Sequence, residues 1–93
     1  MVGAERALEE INAIETLIKP YRYESYDARR VLDELSALRE ALSSMDVESI
    51  RGFIEKILRL EAQAEYYRGY PVVEEALKHA RRLREELKKL VGE

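Results

Sequence analysis

Asp46–Leu60, DVESIRGFIEKILRL, is the stretch that decides the fold. Its apolar residues Ile50, Phe53, Ile54, Ile57 and Leu60 step by three and four, the spacing that lines one face of an α-helix, and no two-residue alternation competes with it. Asp46 is suited to accept from the free N–H groups of the first turn, and Glu48 complements the positive end of the helix dipole. Ala64 and Tyr67 prolong the stripe. Gly69 then reads as the left-handed residue beyond a helix end, and Pro71 as the first residue of the next helix.

The same spacing recurs on both sides of this segment. Ala4, Ala7, Leu8, Ile11, Ile14, Leu17 and Ile18 form one stripe, which Pro20 stops because proline disfavours helical geometry in the residue before it. Ser25 is a candidate N-cap for a stripe of Ala28, Val31, Leu35, Leu38, Leu42 and Met45, with Asp27 in its first turn. After Pro71 come Val73, Ala76, Leu77, Ala80, Leu83, Leu87 and Leu90. Glu74 and Glu75 lie at the start of that segment and Lys88 and Lys89 at its end, before Gly92. The expectation is a single all-α domain over residues 1–93, with helices at about 4–19, 26–44, 47–68 and 71–91. Short loops favour an antiparallel up-down four-helix bundle. The alternative is a pair of helical hairpins that completes its core only as a homodimer, since a stripe facing a second chain has the same period.

Composition narrows the classes of function. With a formal charge of -3 and 38% charged residues, acids and bases are interleaved, and no field of one sign draws the chain to nucleic acid or an anionic membrane. No cysteine is present, which excludes disulfides and thiolate metal sites. The opening MVGAERALEE holds no signal-like apolar run, and no segment approaches the roughly eighteen apolar residues of a spanning helix, so a cytoplasmic protein away from membranes is expected. Asn12 and Gln63 are the sole side-chain amides, a thermophile-like economy beside abundant Glu and Arg.

An up-down topology brings the first and third loops to one end of the bundle. PYRYESY and EYYRGYP would meet there, gathering all six tyrosines. Tyrosine and arginine are enriched at binding hot spots, and Tyr21, Arg22, Tyr23, Tyr26, Tyr66, Arg68 and Tyr70 are the candidate partner-binding residues. A plainer account has the tyrosines plugging the open end of the bundle with their hydroxyls in water. By helical angle, Tyr67 is expected in the core and Tyr66 in solvent. Gly52 falls on the outward side of its helix.

Glu15, Arg39, Glu61 and Arg84 each follow a core position by one residue, where charges on adjacent helices pair across a seam. Arg39 and Arg84 at similar heights could hold an anion, as in the small all-α chorismate mutase fold. That assignment is rejected, because too few inward polar residues accompany them to bind and transform a substrate. His79 is the only histidine, with Glu75 one turn earlier. A di-iron bundle needs Glu-x-x-His twice, so no metal and no cofactor is expected. No phosphate loop, zinc motif or Ser–His–Asp set occurs, and no catalytic residue is assigned.

The last segment, LKHARRLREELKKL, carries Arg81, Arg82, Lys88 and Lys89, the candidate residues for an alternative nucleic-acid function assisted by tyrosine stacking. Glu74–Lys78, Arg81–Glu85, Arg82–Glu86 and Glu85–Lys89 stand at four-residue spacing and would neutralise this face. The sequence is therefore expected to encode a non-enzymatic interaction module, an accessory subunit or adaptor with a protein partner. A nucleic-acid accessory protein and a self-associating structural protein are the alternatives.

Overall fold

A computed structural model describes residues 2–93. It contains four α-helices: α1 (Val2–Ile18), α2 (Tyr26–Ser44), α3 (Val47–Gln63) and α4 (Pro71–Val91). Short 3₁₀ turns at Lys19–Tyr21 and Ala64–Tyr67 follow α1 and α3. Each helix packs on its neighbours in sequence and α1 returns to pack on α4, closing an all-α four-helix bundle. Across the cross-helix contacts the numbers run oppositely: Arg6 to Glu86 and Glu10 to His79, Glu61 to Arg84 and Arg51 to Glu93, and Lys56 to Glu34 and Tyr67 to Asp27, while a short turn returns α2 along α1. All neighbouring helices are therefore antiparallel.

The helix ends follow local chemistry. Ser25 is extended and its side chain accepts from the Ala28 N–H at 3.1 Å, starting α2. Asp46 does the same for α3, accepting from the Ser49 N–H at 3.2 Å and the Ser49 hydroxyl at 2.8 Å, bonds that hold its carboxyl below the ordinary value of 3.8. Pro71 opens α4, and Gly92, at φ 80°, closes it.

Three details depart from the sequence-based boundaries. The α-helix of α3 stops at Gln63 rather than near residue 68, because the chain tightens into a 3₁₀ turn and then leaves helical geometry at Arg68. Gly69 lies just beyond, at φ 100°. Met45, expected on the stripe of α2, instead holds the left-handed position at its end, with φ 52°. The Asp46 N–H reaches Ala41 O at 3.0 Å and the Met45 N–H reaches Leu42 O at 3.2 Å, a closure usually given to glycine. At the first loop Pro20 is accommodated inside a 3₁₀ turn that continues directly from α1.

The four stripes meet within one chain. Ile11 from α1, Leu38 from α2, Ile50 from α3, and Leu83 and Leu87 from α4 are fully buried. Of the helix pairs, α1 and α4 make the most extensive contact. The core is off-centre. Most fully buried side chains lie nearer the α2–α3 turn, and toward the other end Leu17, Ile18, Val31, Leu60, Val73 and Leu77 are only half-buried.

The seam-flanking charges pair as expected. Arg39 reaches across to both Glu15 and Asn12 of α1, the latter at 2.9 Å. Arg84 donates to Glu61 at 2.7 Å from Nε and 3.2 Å from Nη2, a bidentate contact that raises its pKa.

Substitutions at two places test this architecture. A Cβ added at Gly52 would meet nothing within 4 Å. Gly52→Ala should therefore stabilise the domain by about 1 kcal/mol, which calorimetry would record as a Tm higher by several degrees. At the Arg84–Glu61 fork either Arg84→Met or Glu61→Gln should cost about 2 kcal/mol in urea unfolding by stranding the other partner. The double variant should cost less than the two single losses together.

Candidate functional site

The antiparallel order brings the first and third loops together, and one hydrogen bond joins them. The Tyr67 hydroxyl donates to Asp27 at 2.7 Å, linking the turn after α3 to the first turn of α2. Asp27 also favours the neutral phenol, so Tyr67 ionises above its ordinary 10.0. Tyr67 and Tyr70 stand edge to face with ring centres 6.5 Å apart.

None of the tyrosines plugs the bundle. Tyr67 was expected in the core and is instead 44% exposed. Its helical angle does point inward, but at this height α1 has ended and α4 has yet to begin, so the ring lies across the start of α2. Tyr66, as expected, faces solvent and is 90% exposed. Tyr23 is 84% exposed, and Tyr21, Tyr26 and Tyr70 are exposed as well. The candidate arginines sit among them. The Arg22 guanidinium lies 4.7 Å from the centre of the Tyr23 ring, and Arg29, absent from the sequence-based set, lies 5.8 Å from that of Tyr26. Arg68 pairs with Glu65 at 3.3 Å.

Sequence reasoning also missed Leu58, which is 51% exposed on α3. It falls outside the arc of Ile50, Ile54 and Ile57, on the same outward flank as the exposed Ala62 and Tyr66. The signal was a leucine at a polar angle of the helix.

The basic face of α4 is largely bound up by carboxylates, though through different partners from those its spacing suggested. Arg81 turns to Glu61 at 3.7 Å, Lys88 to Glu85 at 3.7 Å, and Lys89 to Glu86 at 3.2 Å. Lys78 pairs with Glu75 at 3.1 Å. Arg82 has no ion pair among the described residues. Glu86, its expected partner, is instead shared between Lys89 and Arg6 of α1. His79 likewise pairs across the bundle: its Nδ1–H donates to Glu10 of α1 at 2.6 Å, whereas the sequence suggested Glu75. His79, Arg81 and Arg84 thus take partners on a neighbouring helix, whereas Lys78, Lys88 and Lys89 stay with glutamates of α4 itself.

Arg39 and Arg84 lie on diagonal helices, each held by its own glutamate, and do not converge on a shared ligand. Among the described residues, no group of three or more His, Asp or Glu side chains could hold a metal ion, and no helix is long and apolar enough to cross a membrane. No protein-family model, curated protein or solved structure matches the chain.

The Tyr67–Asp27 link has a spectroscopic consequence. Because the pKa of the phenol is raised in the folded state, the bond contributes below pH 10.0 and is lost as pH rises through the folded value. Asp27→Asn should remove the latest-ionising tyrosine step from an ultraviolet pH titration.

Proposed function

We infer that this protein is a small helical interaction module, an accessory subunit or adaptor, that docks a protein partner on its tyrosine end. The observation carrying this reading is the exposure of six tyrosines at the end of the bundle farthest from its fully buried core. Tyrosines kept for stability would lie in the open end with only their hydroxyls wet. Here Tyr66 and Tyr23 are almost wholly in water and the other four are partly so, and rigid amphipathic rings interleaved with guanidinium groups supply contact area at small entropic cost. Tyr66 and Tyr70, with Arg68, form the part of this surface contributed by the third loop. Tyr21, Arg22, Tyr23 and Tyr26 form the part contributed by the first.

The alternative nucleic-acid reading draws less support, since most of the cations on α4 are already neutralised by glutamates. A purely self-associating protein has no observation of its own in its favour.

The test compares pull-downs from source cells with wild-type protein and with Tyr66→Ala and Tyr70→Ala. Both substitutions are at exposed rings and should shift stability by no more than about 0.5 kcal/mol. A partner recovered by the wild type should be lost from the variants with Tm unchanged. Recovery of the same proteins by all three forms would remove the tyrosine end as a docking surface.

A further inference from the structure

Cations are satisfied unevenly over the molecule. Most of the 16 lysines and arginines reach a carboxylate within 4.0 Å, from Arg6 and Lys89 near the termini to Arg39 and Arg84 along the seams. Among the described residues, those with no such partner are Lys19, Arg22, Arg29, Arg30, Arg59 and Arg82. Lys19, Arg22, Arg29 and Arg30 all belong to the tyrosine end. Three of them, Lys19, Arg22 and Arg29, line an open depression of about 350 Å³ between the end of α1 and the start of α2. Tyr23 and Leu32 provide apolar walls, and two carboxylates, Glu15 and Asp33, complete the rim. Glu15 is already neutralised by Arg39, which leaves Asp33 as the one carboxylate set against three cations.

We propose that this depression binds an acidic segment of a protein partner, with carboxylates held by Arg22 and Arg29 and an apolar side chain resting on Leu32. The two guanidinium groups stand 4.7 Å and 5.8 Å from the centres of the Tyr23 and Tyr26 rings, and no carboxylate occupies their N–H edges. A planar guanidinium fixed on a ring presents two parallel donors, and a carboxylate has the matching two acceptors. A single-stranded nucleic acid fits less well. One face of each ring already carries a guanidinium, which takes the surface that base stacking would need.

This inference rests on the tyrosine-end docking reading and names the chemistry of the partner. The test probes the full chain on an array of random dodecapeptides, with a fluorescent oligothymidylate as a parallel probe. The wild type should retain peptides rich in Asp and Glu with an interspersed apolar residue. Arg29→Gln should weaken the best of them about tenfold or more. Arg22→Glu combined with Arg29→Glu should shift the preference to basic peptides, with circular dichroism reporting an intact fold. Retention of no peptide, of the same peptides by the reversed variant, or tighter binding of oligothymidylate than of any peptide would overturn the proposal. A cellular partner that depends on Tyr66 but survives the charge reversal would leave the docking end standing and remove this acidic-segment site alone.

Discussion

The bundle depends on one constraint: each helix must bury its stripe against the other three within a single small core. Ile11, Leu38, Ile50, Leu83 and Leu87 meet that requirement, each worth about 1.5–3 kcal/mol of burial. Ion pairs at half-exposed positions contribute less, so they follow the packing and select among its registers without creating it. Once the stripes are joined through short turns, the order up, down, up, down leaves no choice about which loops share an end. The tight Met45–Asp46 turn sits beside the completed core. The two tyrosine-bearing loops sit where the core thins.

That asymmetry explains why aromatic residues failed to become core. Near Tyr67 the neighbouring helices are ending or beginning, and too little surface remains to cover a ring. The hydroxyl instead finds Asp27 and fixes the two loops together. The aromatic end is therefore tied down by a polar contact at its base, with Tyr66 and Tyr23 left free above it.

Much of this was legible in sequence because helix boundaries are set by local chemistry. Ser25, Asp46, Pro71 and Gly92 act within one turn of chain, and each does what its residue type suggests. Glu15, Arg39, Glu61 and Arg84 were legible as seam charges because heptad-like spacing places them beside core positions. What sequence did not reveal depended on neighbours. His79 took Glu10 of α1 over Glu75 because a cross-helix carboxylate in a drier seam outcompetes one on the same exposed face, and Glu86 paired with Lys89 and Arg6, not with Arg82. Met45 carries no sign of a left-handed backbone, which is imposed by the short connection and not by the residue. Arg29 joined the candidate site only once the fold brought its guanidinium to Tyr26.

Buried apolar packing and exposed aromatic rings are consequently separated along the long axis of the bundle. Along the shaft most cations have a carboxylate and every fully buried side chain has apolar neighbours, so few unsatisfied groups remain to recognise anything. At the tyrosine end the reverse holds: rings are hydrated, and guanidinium groups are oriented by those rings without a carboxylate to receive their hydrogen bonds. Nothing in helix packing requires that arrangement, because Glu24 and Asp33 lie close in sequence and could have been used to neutralise Arg22 and Arg29 as glutamates do elsewhere. On the acidic-segment proposal, these unpaired donors are the groups an incoming carboxylate would meet. Since these groups add little to the core, their chemistry can change without unfolding the helices that present them.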